Sequence, residues 1–179
     1  MFEAVHTERI GAPPSAIWPL WADPARWPEW NPQVHRAELD GELRVGAEIR
    51  VKMRRGDKVR YAVTELEPER LLALEVRFPG ARQGHQHRLE PAHQGAEVTH
   101  AIRVTGALWT AWSLMLGRKR MREAVAGFTE RERELVRPGR QRSRRRSSAL
   151  AEEQLSRSSS GRARSRSRCR PRGRSRSGA

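Results

Sequence analysis

The chain has a single cysteine, Cys169, close to its C-terminal end. No disulfide framework can form within one chain. Long apolar runs are missing as well. The longest, around Leu108 to Leu116, is far short of the roughly 18 or more residues that a spanning helix needs, so no membrane span is expected. The N-terminus, Met-Phe-Glu-Ala-Val-His, has neither a basic start nor a long apolar segment. No secretory signal is expected from it, and a cytoplasmic protein is the default. Acid is scarce in one region only. Residues 137–179 hold 15 Arg against 2 Glu, whereas residues 1–136 hold 21 Lys and Arg against 19 Asp and Glu. The net charge of +15 therefore belongs to the tail. The near-neutral first part is long enough for a real core.

What is present in quantity is tryptophan, and it is clustered. Trp18, Trp21, Trp27 and Trp30 form one group, Trp109 and Trp112 the other. A large aromatic side chain buries roughly 150–250 Å², so both groups are expected inside. Residues 2–10 read as a first strand. Gly11 to Ser15 breaks it, with Ser15 as a candidate cap for a short helix from Pro14 to Trp21. Asp23 and Pro24 restart a second helix, which ends before Pro32. Six strands follow, read from alternation of apolar and charged residues. One runs from Val34 to Leu39, one from Ala47 to Met53, and one is marked by Val59, Tyr61 and Val63. The others are marked by Leu72 to Phe78, by His85, His87 and Leu89, and by Val98 to Val104. From Leu108 to about Leu135 the period becomes helical. Trp112, Met115, Leu116, Met121, Val125 and Phe128 form its apolar stripe, and Glu130 to Glu134 is read as a solvated end.

The fold class is thus α+β, in the order β-α-α-β6-α, with a curved antiparallel sheet wrapped on a long C-terminal helix. The runs Ala12-Pro13-Pro14-Ser15-Ala16-Ile17-Trp18 and Trp21-Ala22-Asp23-Pro24-Ala25-Arg26-Trp27-Pro28-Glu29-Trp30-Asn31-Pro32 carry a resemblance, as do Glu97-Val98-Thr99-His100 and the final helix. Residues 2–136 resemble the START-like helix-grip (SRPBCC) superfamily, and within it the polyketide cyclase/dehydrase-like proteins. The resemblance implies a cavity between sheet and last helix and ligands that are apolar or aromatic. It carries over no shared catalytic motif.

Alternation places Met53, Tyr61, Leu74, Val76, His87, Leu89, His100 and Ile102 on the inner face, and Trp30, Trp109, Trp112 and Leu116 are placed to close the space. The plainer alternative is that these side chains fill a core with no cavity. Pairing Glu90 with Glu97 across the loop at Pro91–Gly95 sets His87 opposite His100, with Cβ atoms about 4.5–5.5 Å apart. Such a pair is a polar spot able to donate to a carbonyl or move a proton, or simply two locally bonded histidines. Two imidazoles make a poor metal site, and no third partner is evident, so neither metal nor cofactor is expected. Arg118 to Arg122 suggests a membrane-surface helix or, more simply, a helix that turns from buried to wet.

Three functions compete. The leading expectation is binding of a small apolar, aromatic or lipid-like molecule in an internal cavity. The second is a cyclase- or dehydratase-type enzyme using His87 and His100. The third is non-specific contact of the arginine/serine-rich tail, residues 137–179, with nucleic acid or another polyanion. The tail is expected to be disordered. It also resembles an arginine/serine-rich domain, and the favoured reading of it is an extension translated out of frame with no selected function. The balance of +2 in the rest offers no basic face to match it. Ligand identity and oligomeric state have no signature in the sequence.

Overall fold

A computed structural model describes residues 1–56 and 58–137. The expectations for the arginine-rich tail beyond Arg137 lie outside the described residues. Chain order is β1 Phe2–Ile10, α1 Pro14–Ala22, a single 3-10 turn Pro24–Arg26, α2 Trp27–Trp30, β2 Val34–Leu39, β3 Glu48–Met53, β4 Lys58–Glu67, β5 Leu71–Phe78, β6 Ala81–Ala92, β7 Gly95–Thr105, α3 Trp109–Leu116 and α4 Arg118–Val136. The seven strands form one antiparallel sheet in the order β1-β7-β6-β5-β4-β3-β2. After β1 this is a plain meander, closed by β7 returning beside β1. Register slips between Val34 and Arg36 and between Val63 and Glu65 are bulges of the kind that bend a sheet. The helices pack on the inner face, and α4 lies across β1 and β7. No helix among the described residues is long and apolar enough to cross a membrane.

The pairing of β6 with β7 follows the alternation: Glu90 faces Glu97, Leu89 faces Val98 and His87 faces His100. The Asp23 side chain accepts from the Ala25 N–H at 3.0 Å and starts the 3-10 turn, as its cap position suggests. Ser15 does not cap α1. The cap position falls on Pro13 and no side chain bonds there.

Two features of the C-terminal part differ from the sequence reading. The expected single helix is two, broken at Gly117, whose φ of 83° is one that glycine adopts at no steric cost. The Glu130–Glu134 segment is not wholly solvated. Met121, Ala124, Val125, Phe128, Glu132 and Val136 are all buried, so the apolar stripe continues at helical spacing and carries Glu132 inward. Arg133 points the other way. It bonds Glu8 of β1 and lowers that carboxyl's proton affinity, tying the end of α4 to the sheet.

Candidate functional site

Two different environments share the concave face. The first is a closed polar centre beneath α1, α2 and α4. Glu132, fully buried, accepts the Trp21 indole N–H on Oε1 at 2.6 Å. Its Oε2 lies 3.0 Å from His100 Nε2, and the two histidines meet Nδ1 to Nδ1 at 2.6 Å. An indole N–H can only donate, so Glu132 Oε1 is the acceptor there. One proton is shared in each of the other two contacts, Glu132 Oε2 with His100 Nε2 and His100 Nδ1 with His87 Nδ1. Polar groups that satisfy one another in this way can stay in a dry interior. His87 is held well below the usual imidazole range by burial and then by its neighbour His100.

Tryptophans seal this centre. The Trp21 ring lies 5.5 Å from both imidazoles. Trp30 stacks on His100 at 6.1 Å and 19°. Phe128 stands edge-on to the same imidazole at 5.6 Å. The indoles are themselves fixed, Trp27 donating to the Trp21 carbonyl and Trp30 to that of Leu20. Both His100 ring nitrogens and both Glu132 oxygens are committed to protein partners. Among the described residues no group of three or more His, Cys, Asp or Glu is arranged to hold a metal.

The second environment is a cavity of about 650 Å³ between the far half of the sheet and α3 and α4. This size falls within the range of small-molecule sites. Six residues expected on its wall are there: Met53, Tyr61, Val76, Ile102, Trp112 and Leu116. The other six are elsewhere. His87 and His100 are in the sealed centre, and Trp30 is buried beside them rather than at an entrance. Leu74 and Leu89 pack in the tryptophan-rich core. Trp109 packs on the smaller core around Phe2 and Ile102, with the Arg118 guanidinium 5.6 Å from its ring centroid.

The wall also holds His85, Gln83, Phe78, Ala124 and Phe128, which the sequence reading did not select. His85 is the chemically notable one. It shares the inward phase of His87, so alternation already pointed to it. Its ring stands edge-on to Tyr61 at 5.2 Å, and its Nε2 is buried without a hydrogen-bond partner. Burial, with a smaller contribution from the His100 charge, lowers its pKa to about 4. Burial raises that of Tyr61 to about 12. At neutral pH both wall groups are uncharged.

A seven-stranded bent sheet closed on a C-terminal helix, with a hollow at one end, is the architecture the resemblance implied. The family model described as polyketide cyclase/dehydrase and lipid transport matches residues 1–137. The chain belongs to this family. Solved structures agree on the fold. Protein MLL2253 from Mesorhizobium loti superposes with a TM-score of 0.60 at 17% identity, covering 75% of this chain and 96% of that one. Truncated norcoclaurine synthase from Thalictrum flavum gives 0.60 at 12% identity, covering 76% and 94%. The di-domain ARO/CYC BexL from the BE-7585A biosynthetic pathway gives 0.62 at 19% identity, covering 77% of this chain and 48% of its own. At such identities the likeness is one of fold. No curated protein matches the chain.

Proposed function

We propose that this domain binds a small apolar or aromatic molecule, lipid-like in character, in the cavity between the sheet and α3 and α4. The observation that carries this reading is the cavity itself. It has about 650 Å³ of space, walled by Val76, Ile102, Trp112, Met121 and Phe128 together with polar side chains that include Tyr61, Gln83 and His85. The family description includes lipid transport, which agrees. Ala124 is buried on the wall of the same space, so Ala124→Phe introduces a ring into it, and Val76→Phe does the same from the sheet side. Decanol titrated into the wild-type protein by calorimetry is expected to bind, and either phenylalanine variant is expected to weaken it at least tenfold. Native mass spectrometry of protein purified from its own cell extract identifies the natural ligand class. Absence of any decanol binding to a folded wild-type protein contradicts the reading.

Turnover of a cyclase or dehydratase type is the second reading. The group that favours it is His85, since His87 and His100 lie outside the cavity wall. A neutral imidazole with an unpartnered nitrogen beside Tyr61 is placed to accept a proton from, or donate a hydrogen bond to, an occupant. His85→Ala then abolishes turnover of a bound substrate while leaving decanol affinity within a few-fold. Loss of neither excludes His85 as the reacting group.

A further inference from the structure

The overall charge balance of residues 1–136 conceals a segregation. Six residues on the cavity wall are also solvent-exposed: Arg55, Lys58, Arg60, Arg77, Met115 and Arg120. These mark the mouth, and five of the six are cations. Among the described residues no Asp or Glu is part of the wall. Arg60 and Arg77 pair with Glu48 at 3.6 Å and with Glu75 at 3.0 Å, both off the wall. Arg55, Lys58 and Arg120 make no ion pair among the described residues. Asp57, between Arg55 and Lys58 in the sequence, lies outside the described residues. Counted by sequence alone, it still leaves the mouth with an excess of positive charge. Deeper in, the wall carries no cation and is mainly apolar, with Val76, Ile102, Met121 and Phe128 buried beside Gln83. The site is therefore polarised along its length.

We propose that the ligand is an anionic amphiphile. Its carboxylate or comparable headgroup rests among Arg55, Lys58 and Arg120, and its apolar body extends toward Phe128. The physical basis is simple. A neutral apolar ligand gains nothing from cations at the rim, whereas an anion that keeps its head in water there gains attraction without the penalty of burying a charge. This rests on the cavity reading and narrows it to a substrate class. Each exposed ion pair contributes only a few-fold in affinity, so three cations together give about tenfold.

The test uses the full chain and two probes of equal chain length, decanol and decanoate, titrated at pH 7.5 by calorimetry. Decanoate is expected to bind about tenfold more tightly. That advantage shrinks at high salt, because exposed charges are screened. The triple variant Arg55→Gln, Lys58→Gln, Arg120→Gln is expected to lose the preference for decanoate and bind the two probes with similar affinity. These are surface positions, and such changes seldom disturb folding. Equal wild-type affinity for the two probes overturns the headgroup assignment and leaves the cavity reading standing. So does a preference for decanoate that survives in the triple variant. Failure of both probes to bind overturns the cavity reading together with it.

Discussion

The two ends of one concave sheet face are built by opposite means. At the α1–α2 end, Trp21, Trp27 and Trp30 supply bulk, each indole N–H has a named acceptor, and even the ionisable groups are locked together. At the α3 end, Val76, Gln83 and Ala124 present modest volumes. The break at Gly117 also separates α3 from the line of α4. One end is packed shut and the other is left hollow. The difference teaches where to look for function: the bonded histidine pair marks the closed end, while the open end carries the cavity proposed to take a ligand. A dry core tolerates Glu132 and His100 because they satisfy one another. A binding cavity needs no such closure, and the unpartnered Nε2 of His85 belongs there.

Substitutions at the closed end should therefore act on stability, and those at the hollow end on ligand affinity. The largest expected loss is for Glu132→Ala, which leaves the buried His100 Nε2 and the Trp21 indole N–H without their partner. Breaking a buried pair in this way costs about 3–5 kcal/mol, read as a lower urea midpoint. Glu132→Gln keeps the shape and one acceptor oxygen while the other position becomes an N–H donor, so it should lose less. Trp21→Phe removes one donor to Glu132 and is expected to cost about 1–3 kcal/mol. If these variants instead leave the midpoint unchanged and abolish decanol binding, the division between the two ends is wrong.

Acid sharpens the same contrast. The His85 pKa is lowered from the ordinary 6.5 to about 4. Between those values the unfolded chain holds a proton that the folded chain does not. Its contribution to stability is present above about pH 6.5 and is lost as the pH falls toward 4. His87, also lowered by burial, acts in the same direction. Urea midpoints measured across this range should fall with pH, and His85→Leu should flatten the upper part of the slope. The smallest effect on stability is expected for Ala124→Phe, since the added ring enters space already empty. Overpacking costs about 1–3 kcal/mol in a full core, and the change here should lie at or below the lower figure.

Much of the closed end was legible in the sequence. The opposition of His87 and His100 followed from two alternating strands and a short loop, because a period of two leaves little freedom once one pair is set. The third member was hidden. Glu132 sits in the run Glu130-Arg131-Glu132-Arg133-Glu134, where dense charge reads as solvent exposure. The signal available was its phase, four residues after Phe128 and four before Val136. Gly117 passed unnoticed because glycine inside a helical pattern is tolerated and the apolar stripe seemed to run through it. The hollow was half legible. Alternation tells which face a side chain takes but not how far along the strand the helices cover it. Leu74 and Val76 share a face, yet only Val76 reaches the cavity. The mouth was invisible for another reason: a balanced total charge carries no information about how its cations are grouped.

The most direct test of this division is one set of decanol titrations on folded wild-type protein, Ala124→Phe and Glu132→Gln, each with its urea midpoint measured alongside. The expected result is at least tenfold weaker binding for Ala124→Phe at nearly unchanged stability, and wild-type affinity within a few-fold for Glu132→Gln despite a lower midpoint. Decanol binding that survives Ala124→Phe but disappears in a folded Glu132→Gln protein would contradict the account, placing the ligand at the histidine centre instead.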